Sequence, residues 1–147
     1  MAPASPSDTP AERRHASCVA VEGRGLLILG PSGSGKSSLA LQMMALGAQL
    51  VSDDQVDLHS EEGALSATAP DRLKGMIEAR GIGILGADPI DTARIVLAVD
   101  LAEGEPDRLP PFREITILGC PIPLVLGRGA HHLSYALFQY LKGGRKA

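Results

Sequence analysis

Gly30-Pro31-Ser32-Gly33-Ser34-Gly35-Lys36-Ser37 has the form GxxxxGK[ST], and no other segment limits what this chain can fold into so strongly. Its glycines permit a loop whose backbone N–H groups turn inward on an anion. Such a loop belongs between a buried strand and the N-terminus of a helix, whose partial positive charge meets the same anion. Both flanks are present. Leu26-Leu27-Ile28-Leu29 is apolar at every position, as expected of a strand buried on both faces. Leu39, Ala40, Met43, Met44 and Leu46 then recur at helical spacing, and Gly47 is a natural left-handed stop. Lys36 can reach the β- and γ-phosphates of a nucleotide, and the Ser37 hydroxyl can bind Mg²⁺.

The rest of the chain reads as mostly strand. Cys18-Val19-Ala20-Val21 precedes a hairpin turn at Glu22-Gly23-Arg24-Gly25, and Ala48 to Ser52 forms the strand after the helix, ending at Asp53-Asp54. Val56 to His59 and Leu65 to Ala67 flank a Glu-Glu-Gly turn, and Ile77 to Leu85 carries too many glycines for a stable helix. Ile95 to Leu101, Ile115 to Leu118 and Ile122 to Leu126 are further strands, the last placed at a sheet edge by its prolines. Glu103 to Pro111 is a loop, and His131 to Lys142 a final helix with Leu133, Ala136, Leu137, Tyr140 and Leu141 inward. Residues 1–14 read as a flexible arm and residues 15–147 as one domain. The expected fold is therefore α/β: a P-loop-containing, strand-rich sheet with a helix after the phosphate loop and a C-terminal helix.

Composition removes several functions. A net charge of −3 argues against nucleic acid held on a basic surface, and 3% aromatics without Trp argue against base-stacking platforms. No apolar run approaches a membrane span, and the N-terminus lacks the basic-then-apolar order of a secretory signal. Cys18 and Cys120 lie far apart outside any CxxC motif, which suits a reducing cytoplasm. The chain has no Asn, so the NKxD signature of guanine-specific switches is missing.

Candidate groups surround the loop. Asp53 and Asp54 close the strand beside it, where ligands bind in α/β sheets. One can sit near Mg²⁺ while the other accepts a proton from an attacking hydroxyl, and paired like charges tend to raise one pKa. In Glu78-Ala79-Arg80-Gly81-Ile82-Gly83-Ile84, Glu78 is available to metal and Arg80 to phosphate. Arg108 and Arg113 lie in the Pro-rich loop and Arg128 between glycines, where an arginine either stabilises transferring phosphoryl charge or is a solvated surface group. His131-His132 reads as a cap on the last helix, not as a metal site.

Taken in order, GPSGSGKSS, LVSDD and EARGIGIL resemble the catalytic domain of bacterial HPr kinase/phosphorylase, over about His15 to Arg128. Members of that family phosphorylate a serine of HPr, a small carrier protein of the sugar phosphotransferase system, and remove the phosphate by phosphorolysis. The resemblance implies that Gly30, Pro31, Ser32, Gly33, Ser34, Gly35, Lys36, Ser37 and Ser38 bind ATP, with Mg²⁺ on Ser37, Glu78 and Asp53. It also implies Asp54 as the catalytic aspartate, His15 as an active-site histidine, Lys36 and Arg108 as catalytic cations, and Arg80, Gly127 and Arg128 as serving dephosphorylation.

Full-length members carry a further N-terminal domain, so this sequence looks like the short form found in proteobacteria; Ala16 stands where the long form usually has Gly. The hexameric assembly, allosteric response and phosphorylase activity of the longer enzymes are open for such a form. Edge strands and the final helix would serve a homo-oligomer interface or the core equally well. Two other readings fit the loop: a small-metabolite kinase, and a non-catalytic ATP-binding sensor.

Overall fold

The computed structural model describes residues 10–147. Eleven strands and two α-helices run in the order β1 (Ala11–Arg14), β2 (Ser17–Val21), β3 (Arg24–Leu29), α1 (Lys36–Ala45), β4 (Gln49–Ser52), β5 (Val56–Glu61), β6 (Ala64–Thr68), β7 (Met76–Ala79), β8 (Gly83–Gly86), β9 (Thr92–Asp100), β10 (Arg113–Ile117), β11 (Cys120–Leu126) and α2 (Leu133–Gly143). The sheet follows the order β1-β5-β6-β9-β3-β2-β4.

β9 is the pivot. β3 runs parallel to it along one side, from Arg94 to Asp100. Its other side is shared: Thr92–Arg94 pair antiparallel with β6, and Ala98–Asp100 pair parallel with β11. The sheet therefore forks into a β6-β5-β1 branch and a β11-β10 branch, with apolar side chains of both meeting beneath β9.

Strand alternation divides β3 between two cores. Leu27 and Leu29 point into the fork, with Leu58, Leu65, Ile95, Ile117 and Ile122. Leu26 and Ile28 point the other way and pack with Leu39 and Met43 of α1 and Leu137 and Leu141 of α2. This is the physical meaning of the unbroken apolar run. Leu27→Ala is expected to lower the unfolding free energy by about 2–5 kcal/mol. Leu109→Ala, at a position 70% exposed, should change it by roughly 0.5 kcal/mol or less. Urea denaturation of the two variants checks this.

Four local expectations need correction. Ala11–Arg14, read as part of the arm, are a strand paired with β5 from Ala11↔His59 to Arg14↔Val56, helped by the Arg13–Asp57 ion pair; residues 1–9 lie outside the described residues. β11 is an edge only along its first part, where β10 is its one partner strand; its last part pairs with β9. Its prolines, Pro121 and Pro123, sit where only β10 is a partner, so one strand side is spared donors it does not need. In α2, Ala136 is exposed and Ser134 is buried in its place. His132 holds the N-cap position of α2 without any side-chain capping bond.

Gly127, just past β11, shows why that turn is glycine. A Cβ there would lie 2.7 Å from Val99 Cγ2 and 2.9 Å from Leu133 Cδ2, so strand and helix close on the bare backbone. Both cysteines are buried and free, and burial pushes the Cys18 thiol well above its ordinary range.

Candidate active site

The loop between β3 and α1 takes the shape its glycines permit. Gly33 and Gly35 adopt φ of 82° and 100°, and the Ser34 amide donates to the Pro31 carbonyl at 3.1 Å. Gly30 is packed so tightly that a Cβ would approach Ser34 Oγ to 2.5 Å. Lys36 opens α1 and is buried; its ammonium donates to the carbonyls of Gly30 at 2.8 Å and Pro31 at 3.0 Å. An ammonium has three hydrogens, so one remains for an anion held over the loop.

Asp53 and Asp54 end the neighbouring strand β4 and are used differently. Asp53 is 5% exposed, and its Oδ1 accepts from Ser37 Oγ at 2.6 Å and from Ser17 Oγ at 2.8 Å. Among the described residues its Oδ2 meets only the Glu78 amide, at 3.4 Å. Asp54 adopts φ of 72°, a left-handed conformation that aspartate tolerates better than most residues. That turn gives its carboxylate to solvent, where Oδ1 accepts from His15 Nε2 at 2.9 Å; an ionised carboxylate can only accept, so the ring nitrogen is the donor. The Ala16 amide, donating to the Asp54 carbonyl at 3.2 Å, fixes His15 beside it. The two carboxylates thus have separate hydrogen-bond partners.

Opposite them stands the β7-β8 hairpin, a separate two-stranded sheet whose backbone turns at Arg80 to Ile82. Glu78, Arg80 and Ile82 line one wall of a cleft of about 560 Å³; His15, Asp54, Lys36 and Ser37 line the rest. The expected cluster of His15, Lys36, Ser37, Asp54, Glu78 and Arg80 is therefore brought together. Ser37 Oγ, the Asp53 carboxylate and Glu78 across the cleft are hard oxygen donors, two of them carboxylates. This suits Mg²⁺, which keeps waters and phosphate oxygens in its shell.

Arg108 does not join the site: it is exposed on the loop after β9 and does not line the cleft. Arg113, which opens β10, instead grips Glu105 through two 2.9 Å bonds and holds its carboxyl below the usual carboxylate range. Gly127 and Arg128 also lie elsewhere, on the far side of the phosphate loop, lining a second cleft of about 270 Å³.

Ser17 is the residue sequence reasoning missed. Its hydroxyl is fully buried in an otherwise apolar strand, and such a group requires a partner; the one usable signal was a serine opening an apolar run. Ser17→Ala is expected to lower the unfolding free energy by about 1–3 kcal/mol by leaving Asp53 under-bonded. It should also raise the Mg²⁺ concentration needed for half-maximal Mg-nucleotide binding, as read by calorimetry at several metal concentrations.

A buried strand, a glycine loop with its lysine on a helix N-terminus and an aspartate from the next strand on the loop serine define a P-loop protein. The chain belongs to the HPr Serine kinase C-terminal domain family, whose model matches residues 8–107. It is 39% identical over 106 residues to HPr kinase/phosphorylase of Clostridium novyi, covering 67% of this chain and 34% of that protein. It is likewise 39% identical over 107 residues to the Geobacillus sp. protein of the same name, covering 67% and 34%. The chain thus spans about a third of the length of these curated relatives. Among solved structures, the Hpr(Ser) kinase/phosphatase from Coxiella burnetii matches with a TM-score of 0.75 at 27% identity, over 89% of this chain and 94% of that one.

Proposed function

We propose that this chain transfers the γ-phosphoryl group of ATP to a serine of the phosphocarrier protein HPr. The observation that carries this reading is the Asp54 carboxylate, held on one oxygen by His15, in the same cleft as Lys36 and Ser37. Its second oxygen is available to the acceptor hydroxyl. In the step, the serine oxygen attacks the γ-phosphorus in line, its proton passes to Asp54, and the bond to the bridging oxygen breaks to release ADP. Lys36 offsets charge on the β- and γ-oxygens, and Arg80, which lines the cleft, is better placed than Arg108 to meet the equatorial ones.

Ser37, Asp53 and Glu78 would hold Mg²⁺, which when bound neutralises phosphate charge. In reverse, protonated Asp54 returns its proton to the seryl oxygen as inorganic phosphate attacks, giving serine and pyrophosphate. The names of the Clostridium novyi and Geobacillus relatives support HPr as acceptor and both directions of reaction. ATP as donor and a soluble carrier as acceptor fit a cytoplasmic reaction, and no helix among the described residues is long and apolar enough to cross a membrane. The strand-rich span from β5 to β11 lacks the helical lid a small-metabolite kinase closes over its acceptor.

The test is to incubate the purified chain with Mg-ATP and HPr of the same organism, then weigh HPr intact and fragment it. The expected result is one added phosphate, on serine. Unmodified HPr, with nucleotide still bound by the chain, would overturn the choice of acceptor.

A further inference from the structure

Two clefts flank the phosphate loop, and the turn at Gly35 and Ser38 belongs to both. The first holds Asp54, Lys36, Ser37, Glu78 and Arg80, which serve the transfer step. We propose that the second holds the nucleoside half of the nucleotide, so that the Gly127–Arg128 segment is a nucleoside-binding wall. This inference rests on the phosphoryl-transfer reading above and extends it to the substrate's other end.

The lining has the chemistry a purine nucleoside needs. Leu39, Leu101 and Leu133 supply an apolar floor for a flat heterocycle. Gln42, one helical turn beyond Ser38 on α1, brings an amide that can both donate to and accept from a base edge. Arg128 adds a planar guanidinium that stacks on aromatic faces and suits the α-phosphate. The wall is also rigid. Gly127 and Arg128 donate backbone bonds to the carbonyls of Asp100 at 2.9 Å and Glu103 at 3.0 Å. At Gly104, a Cβ would meet the Arg128 carbonyl oxygen at 2.9 Å, so the two segments lie backbone to backbone. Ser34 Oγ, buried at the loop's edge of this cleft, is the single buried side-chain polar atom without a partner among the described residues. A triphosphate laid over the shared turn would put its reacting end beside Asp54 and its base against Gln42 and Arg128.

Calorimetry with two probes tests this: Mg-ADP, which has a nucleoside, and Mg-tripolyphosphate, which has only the phosphates. Arg128→Ala and Gln42→Leu, both at exposed positions, should each weaken Mg-ADP by about tenfold while leaving Mg-tripolyphosphate within about twofold of wild type. Equal weakening of both probes would make Arg128 a phosphate ligand and overturn the proposal. Unchanged binding of both probes would overturn it too, as would a wild-type chain that binds tripolyphosphate as tightly as ADP. A wild-type chain that binds neither probe would instead overturn the phosphate-loop reading itself.

Discussion

Asp54→Ala is expected to bind Mg-ATP as the wild-type chain does and to transfer its phosphoryl group to HPr about 10²–10⁴ times more slowly. The expectation follows from two features of this residue. Its side chain is largely exposed and, among the described residues, bonded only to His15, so truncation removes little packing. Its place in the cleft, not any contact with the loop, is what matters to the acceptor proton. Asp54→Asn sharpens the test, because it keeps the shape and the bond partner but loses the basic oxygen; it should be nearly as slow as alanine. Single-turnover rates at saturating ATP, with the nucleotide Kd measured alongside, separate the two effects. Transfer within about threefold of wild type in both variants would remove Asp54 from the proton's path.

Lys36→Ala should fail differently, by losing binding as well as rate. The ammonium is a buried charge whose two bonds tie the Gly30 and Pro31 carbonyls together. Removing it takes away the phosphate's cation and one donor from each carbonyl, leaving Pro31 with the Ser34 amide alone. The Kd for Mg-ATP should rise by about tenfold to a hundredfold. Transfer at saturating ATP should fall by a further 10²–10³-fold, because charge on the equatorial oxygens grows toward the transition state. A Kd change with no loss in single-turnover rate would mean that Lys36 holds ground and transition state alike. Circular dichroism and the unfolding midpoint of the variant guard against a loop that has simply collapsed.

Much of this site was legible in the sequence because phosphate binding is a local problem. Gly30 to Ser37 contains its own glycines and its own cation, and the strand and helix that hold it adjoin it directly, so one continuous stretch from β3 to α1 carries the geometry. Asp53 and Asp54 were visible as an acidic strand end, but their division of labour was not. That division comes from a left-handed backbone at Asp54 and from Ser17, which lies 36 residues before Asp53 and meets it only because β2 pairs with β4. Pairing across such a distance is set by the whole sheet, not by neighbouring residues.

The failures have the same origin. Ala11–Arg14 looked like an arm because four polar-rich residues carry little periodicity alone; the ladder with β5 gives them a place. The prolines of β11 correctly marked a strand side that donates nothing, yet a forked sheet lets one strand have a free side along part of its length and a partner along the rest. Arg108 and Arg128 were expected from arginine chemistry and from the family resemblance. Which side of the phosphate loop each would reach depends on how the turns after β9 and β11 leave the sheet, and no short-range pattern encodes that.

The measurement that bears most directly on the central claim is a single turnover with γ-labelled ATP, limiting ATP being mixed with excess enzyme and HPr and quenched at intervals. In-line transfer to serine predicts that label leaves ATP and appears on HPr with the same rate constant. Free phosphate and labelled enzyme should stay at background throughout. Label released as inorganic phosphate while HPr stays bare, or label passing first through the enzyme, would contradict it.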